Sequence, residues 1–310
     1  MAKQPGASPA TIAQATTARG GVALMGRERW WNSRALRRFR RHRLALIGSA
    51  IMLLLILMAL LAPLIAGQDP YAENLRLIRK PPQAGHPLGT DGVGRDIWAR
   101  LVYAARVSLA VGLVAVGLSA SIGVVLGSIA GFYGGKVDSV IMRFTDVILC
   151  FPTLLVILSV VTVVGPSIFN VMVVIGGFGW PGICRLVRGQ FLSLREQDFI
   201  LAARSVGVPS RQLITRHLLP NVVAPVSVAV TLALASAILT EASLSFLGLG
   251  VQVPVPSWGN MLFGATSVSL IEKAWWLWLP PGLLIALAVL GINFVGDGLR
   301  DALDPRMRLE

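Results

Sequence analysis

The chain has 310 residues, of which 55% are hydrophobic and 14% charged, with a net charge of +13. Soluble domains carry about 25% charged residues, so most of this surface faces lipid or other apolar helices. The only two cysteines, Cys150 and Cys184, lie in apolar segments, which leaves no disulfide framework and no cysteine-based metal site.

Residues 1–26 are rich in Ala, Gly, Thr and Gln without periodicity and read as a disordered tail. Ten Lys and Arg residues fall in the first 43 positions, clustered as RALRRFRRHR just before an apolar run. That placement belongs to a cytoplasmic membrane-flanking segment and argues against a nucleic-acid surface. With Trp30 and Trp31, it predicts a short helix at headgroup level.

Residues 44–66 contain no charge over 23 positions; a spanning helix needs about 20. They form span 1, too long for the apolar core of a cleaved signal peptide. Residues 67–106 form a polar extracytoplasmic loop with four prolines, ending in a helix that puts Ile97, Leu101 and Ala104 on one face. Arg106, at the outer edge of span 2, is expected to snorkel. Span 2 (107–130) is full of Gly, Ala and Ser, which let helix backbones approach closely. A glycine-rich turn follows over 131–138.

Span 3 (144–164) is broken at Phe151-Pro152, and span 4 covers 169–186. Span 5 (222–247) is followed by a loop rich in Gly, Pro and Trp, then by span 6 (276–295) and a charged tail over 299–310. The expected fold is all-α, a polytopic membrane protein with six transmembrane helices, spans 2 to 6 forming a core over 107–298. Of the 28 Lys and Arg residues, 21 lie on the side of both termini and 7 on the other, which predicts cytoplasmic termini. Trp258, Trp275, Trp276 and Trp278 then fall near the outer interface, as an aromatic belt.

Between spans 4 and 5 lies a moderately polar, Arg-bearing cassette, QDFILAARSVGVPSRQLITRHLLP, at 197–220 inside a cytoplasmic segment 190–220. Residues 194–206 predict a helix with Gly207 at its C′ position. Ser210 is placed to N-cap a second short helix, 211–218, that stops before Pro220. Ala202 and Ala203 leave a shallow place for a partner, Phe199 and Val206 offer apolar contact, and Arg204 can reach carboxylates. On local chemistry alone, an ordinary loop with a helix in it fits as well.

The AAxxxG pattern at 202–207, followed by Leu219-Pro220, resembles the coupling motif of bacterial ABC-importer membrane subunits. Ala202, Ala203, Gly207, Leu219 and Pro220 match position for position. Leu201 stands where the family has Glu, and His217 where it often has an aliphatic residue. Further stretches resemble the dipeptide/oligopeptide/nickel permease subfamily: HPLGTDGVGRDIWARLVYAARVSL (86–109), GSIAGFYGGKVDSVIMRFTDVILCFP (127–152), RLVRGQFLSLREQDF (185–199), EASLSFLGLGVQVPVPSWGNML (241–262) and GDGLRDALDPR (296–306). They are similar to the second, C-type, permease of such systems.

The resemblance implies a type I ABC-importer permease fold in the bacterial inner membrane and a heterodimer with a homologous permease. It also implies two cytoplasmic ATPase subunits that hold ATP and Mg, and an extracytoplasmic substrate-binding protein. This chain itself would hold no cofactor. The ATPase-coupling residues would be Ala202, Ala203, Arg204, Gly207, Leu219 and Pro220. Dipeptides and oligopeptides are the expected cargo, with nickel chelates and glutathione-like solutes as alternatives.

Asp91, Arg95 and Asp96, in the outer loop, are open to two readings: docking of the binding protein, or holding a tightly turned loop together. Glu241, inside span 5, is either part of a translocation path or a structural hydrogen-bonding group. Asp146 and Arg143, three residues apart at the inner end of span 3, are expected to pair locally. Asp297, Arg300, Asp301 and Asp304 line a cytoplasmic mouth or belong to a solvated tail. GFYGGKV at 131–137 is not a phosphate-binding loop, because Val137 stands where Ser or Thr must hold Mg. An ion-driven secondary transporter using Glu241 is the main rival. An intramembrane hydrolase is disfavoured because His42, His86 and His217 all lie outside the spans.

Overall fold

The computed structural model describes residues 30–263 and 267–303, so the readings for residues 1–26 and Asp304 lie outside it. The described residues are helical apart from turns, loops and two isolated β-bridges in the loop before residue 97. Basic helix α1 (Trp30–Arg41) leads into α2 (Arg43–Leu60). His42 caps α2, its Nδ1 accepting from the Ala45 N–H at 3.1 Å.

Beyond a kink at Leu61, α3 (Ala62–Ile65) continues the first crossing. The kink has a local cause. Pro63 has no N–H to offer the Ala59 carbonyl one turn earlier, and an orphaned carbonyl is costly where no water can reach it. The Nε–H of Arg106 donates to that carbonyl at 2.7 Å. Arg106 therefore does not snorkel freely; it ties the second crossing to the first, and its guanidinium lies 5.8 Å from the Tyr103 ring.

The expected outer helix and span 2 form one helix, α4 (Ile97–Tyr133), 37 residues long. At 1.5 Å per residue it measures about 55 Å, well beyond the hydrocarbon thickness. Asp96 caps it, and Ile97, Leu101 and Ala104 are buried as their spacing predicts. The turn expected over 131–138 contracts to Gly134 and Gly135, both at positive φ, and α5 (Gly135–Leu149) begins at once. The break at Phe151-Pro152 turns α6 (Thr153–Val164) by 82° from α5. Next, α7 (Ile168–Phe178) and α8 (Pro181–Leu194) together make one apolar crossing.

Short helices α9 (Asp198–Ser205) and α10 (Ser210–Gln212) precede α11 (Leu219–Phe246). After it come α12 (Trp258–Met261), α13 (Val268–Lys273) and α14 (Trp275–Leu303). Five stretches among the described residues are long and apolar enough to cross a membrane, and the bent α5–α6 pair makes six. Leu64, Val163 and Phe169 are each more than 70% exposed, a surface suited to lipid or a protein neighbour and not to water.

The most extensive helix pair is α4 with α8. Its seam is a glycine row at four-residue spacing: Gly123, Gly127 and Gly131. A Cβ added at these positions would lie 2.8 Å from the Ile183 Cβ, 2.5 Å from the Cys184 carbonyl oxygen and 2.5 Å from the Phe191 Cβ, respectively. In lipid, helix association depends on such close packing. Helices α2 and α14 meet in the same way at Gly48 and Gly291. Of the four tryptophans expected in the outer belt, Trp275 is exposed and Trp278 half-buried, while the other two are buried. Trp258 is fully buried, its indole N–H donating to the Leu101 carbonyl at 3.2 Å, and Trp276 is 8% exposed. The loop after α11 folds back against α4 and carries Trp258 into the core.

Gly127→Val therefore drives a branched side chain into the α8 backbone, an overpacking cost of about 1–3 kcal/mol. Its thermal unfolding midpoint in detergent should fall by several degrees. Gly117→Ala on the same helix, where a Cβ meets nothing within 4 Å, should leave it unchanged.

Candidate functional site

The 197–220 cassette is built to stop one helix sharply and launch another. Gly207 takes φ +81. Its N–H donates to the Arg204 carbonyl at 3.0 Å, and the Val208 N–H reaches back to the Ala203 carbonyl at 3.1 Å. These two bonds are a Schellman stop, which satisfies the last carbonyls of α9 and requires a left-handed residue at this position. Nothing lies within 4 Å of a Cβ at Gly207. The constraint there is backbone conformation, not space.

The first helix is shorter than expected. Residue 194 ends α8, and a break at 195–197 separates it from α9. The second helix does not stop before Pro220. Residues 210–246 run as one 37-residue helix, Ser210–Phe246. Pro220 is accommodated because the turn before it, Leu213–Leu218, widens into a π-helix, in which the Leu219 N–H bonds back to the Ile214 carbonyl. Widening relieves the clash that a proline ring otherwise makes with the preceding turn. Ser210 is the first helical residue, with Pro209 as the cap and no side-chain capping bond.

The two alanines have different surroundings. Ala203 packs inward with Ile200, Leu213, Leu218 and Leu219, against Phe132 of α4 and Phe191 of α8. Ala202 faces out between Phe199, 43% exposed, and Val206, 80% exposed. Positions 199, 202 and 206 share one helical face. The result is an apolar ridge with a shallow middle. The Arg204 guanidinium lies 5.9 Å from the Phe132 ring centroid, a cation–π contact that holds it against the cassette's own base.

Ion pairs brace that base. Arg188 of α8 grips Asp138 of α5 with two bonds, Nε to Oδ1 and Nη2 to Oδ2, the latter at 2.6 Å. Arg195 donates to the Gly131 carbonyl at 3.3 Å. Asp146 does not pair with Arg143 as expected; it accepts from Arg185 of α8 at 2.6 Å, and Arg143 is exposed. The α5–α8 crossing brings a cation 39 residues away closer than the local one.

At the far end of α11, Glu241 is fully buried. Its Oε2 accepts from the Ser108 hydroxyl of α4 at 3.1 Å and its Oε1 from the Ser245 hydroxyl at 2.7 Å. Each hydroxyl in turn accepts a backbone N–H from the returning loop: Trp258 on Ser108 at 3.1 Å, and Val251 on Ser245 at 3.0 Å. One carboxyl group thus knots two helices and a loop, which is the structural reading.

Asp91, Arg95 and Asp96 are likewise committed to their own loop. Asp91 Oδ1 accepts from the Val93 and Arg95 N–H groups at 3.0 and 2.9 Å, and its Oδ2 from Arg95 Nε at 2.8 Å. Asp96 accepts from the Ala99 N–H at 2.7 Å and bonds His86 Nδ1 at 2.9 Å. At the α14 terminus, Asp301 meets His42 at 3.3 Å, while Asp297 and Arg300 are exposed.

Reasoning from sequence missed Ser108 and Trp258 as partners of Glu241, Phe132 as the cassette's base, and the Asp138–Arg188 pair. All are contacts between distant segments. The four-residue glycine spacing at 123, 127 and 131 was the one signal open to a reader of the sequence. Among the described residues, no cluster of His, Cys, Asp and Glu is arranged to hold a metal ion.

Comparisons with known proteins agree with this architecture. Residues 123–309 match the family model of the binding-protein-dependent transport system inner membrane component. Residues 30–82 match the N-terminal transmembrane domain of oligopeptide transport permease C. The chain belongs to this family of transport permeases, and it is a multi-pass membrane protein. It is 45% identical over 275 residues to the dipeptide transport system permease protein DppC of Alkalihalophilus pseudofirmus, covering 88% of this chain and 90% of that one. It is 41% identical over 274 residues to the oligopeptide transport system permease protein OppC of Bacillus subtilis, covering 88% and 89%. A crystal structure of the MetNI methionine ABC transporter superposes with a TM-score of 0.54 at 19% identity, over 66% of this chain and 96% of that one. The fold is that of an ABC-importer permease.

Replacing Glu241 by Leu removes the acceptor from two buried hydroxyls and should destabilise the chain by about 1–3 kcal/mol. Glu241→Gln, which keeps hydrogen-bonding capacity, should cost less than half as much. Thermal unfolding of the two variants in detergent measures the difference.

Proposed function

We propose that this chain is the permease subunit of an ATP-driven importer of dipeptides and oligopeptides in the bacterial inner membrane, with both termini in the cytoplasm. Its relatives' names support the cargo, and the excess of Lys and Arg on the cassette side supports the orientation. A homologous permease completes the path. Two cytoplasmic ATPases carry ATP and Mg, an extracytoplasmic binding protein delivers the solute, and this chain holds no cofactor and catalyses no reaction.

One observation carries the coupling role. The apolar ridge of Phe199, Ala202 and Val206 is exposed on a helix that is rigidly stopped at Gly207 and packed on α4, α8 and the start of Ser210–Phe246. A groove on an ATPase that received this ridge would push on three long helices at once. Ala202 and Gly207 set the ridge's shape and aim, and Ala203 seats it. Leu219 and Pro220 join it to α11 through the widened turn, and Arg204 stiffens it against Phe132. Movement at the cassette would then reach the Glu241 knot along α11. Glu241 has no exposed surface, which favours this reading over an ion-driven transporter using it as the ion site.

Two variants test the proposal. Gly207→Val forces a β-branched residue to positive φ and should lower ATP-dependent dipeptide uptake in proteoliposomes at least tenfold, while Gly207→Asn keeps most of it. Ala202→Trp, on an exposed face, should leave the unfolding midpoint unchanged and abolish co-purification of the ATPases. Wild-type uptake and ATPase association in both Gly207→Val and Ala202→Trp would overturn the coupling role.

A further inference from the structure

At the opposite end of the molecule from the cassette, the loop before α4 and the loop after α11 enclose a cavity of about 210 Å³. Its lining combines Arg79, Arg95 and Arg100 with a single carboxylate, Asp91, and apolar side chains, Val253 and Leu277 among them. The charges do not balance. Asp91 is already taken by two backbone N–H groups and by Arg95 Nε at 2.8 Å. Arg100 Nε stands 3.6 Å from the same carboxylate, beyond hydrogen-bonding distance.

The Arg100 side chain is only 4% exposed, and its remaining contacts are two carbonyls, Pro70 and Pro254, both at 3.3 Å from Nη1. Glu73 reaches Arg95 at 3.8 Å but is 57% exposed. Buried guanidinium groups are ordinarily matched by carboxylates with good geometry; here two share one. Arg79 lies on the rim, exposed, at φ 50, with its side chain beside Gly92.

We infer that this cavity is a binding site for a carboxylate next to an apolar side chain, the chemistry of the C-terminal end of a peptide. The arginines supply planar donors for the carboxylate, and Val253 and Leu277 receive the side chain beside it. An acidic side chain presented by a docked protein would need only the arginines, so the apolar lining favours the peptide end. The site would accept the solute as it leaves the binding protein and before it enters the path between permeases. This inference rests on the peptide-import reading above.

Arg79 is the position to test, because it is exposed and its side chain has no partner among the described residues whose loss would unfold the loop. The complete assembly, reconstituted in nanodiscs without binding protein, is titrated with Ala-Phe and with Ala-Phe amide. Ala-Phe should bind at least tenfold more tightly than the amide, and Arg79→Gln should remove that preference with no change in unfolding midpoint. Equal binding of the two peptides, or a preference that survives Arg79→Gln, overturns the assignment. So does an Arg79→Gln effect confined to association of the binding protein, which would make the cavity a docking site for a protein carboxylate. Uptake of Ala-Phe by the wild-type assembly with its binding protein is measured in parallel. Its absence would sink the peptide reading itself, whereas uptake without any dependence on Arg79 or the free carboxylate sinks only the pocket.

Discussion

The carboxyl group of Glu241 is the point on which the arrangement of the long helices turns. It joins α4 through Ser108 and holds the end of α11 through Ser245. Those hydroxyls then catch the backbone of the returning loop at Val251 and Trp258. In a medium without water, each of these groups must find its partner inside the protein. The knot therefore sets the spacing of two crossings and, through Trp258, fills the core between α2, α4 and α14.

The same accounting explains the irregular places in the fold. Pro63 frees a carbonyl and Arg106 takes it. Pro220 cannot complete a regular turn, so the helix widens before it. Gly207 closes α9 with two backbone bonds that satisfy the Arg204 and Ala203 carbonyls. In these three places the residue that breaks a rule is met by a specific compensating arrangement.

A mechanical picture follows from the placement of these joints. The cassette packs on α4 and α8 and continues into α11, while the glycine row at 123, 127 and 131 leaves no slack between α4 and α8. These three helices form one tightly packed block. At the sharp corner of Phe151-Pro152, α6 turns by 82° from α5 and reaches the core of that block through Ile157 and Val161.

The sequence by itself determined the number of crossings, the broken third span, the positive-φ stop at Gly207 and the buried face of Ile97, Leu101 and Ala104. Those features follow from local composition, residue geometry and spacing, which act over a few residues. Only the tertiary structure decided that Asp146 answers to Arg185 and not Arg143, that Trp258 enters the core, that the helix runs on through Pro220, and that Ala202 is exposed while Ala203 packs inward. Each of those outcomes depends on which distant segment arrives closest. In an apolar environment the nearest available hydrogen-bonding partner or cavity wins over the nearest in sequence, and that choice is made by helix packing.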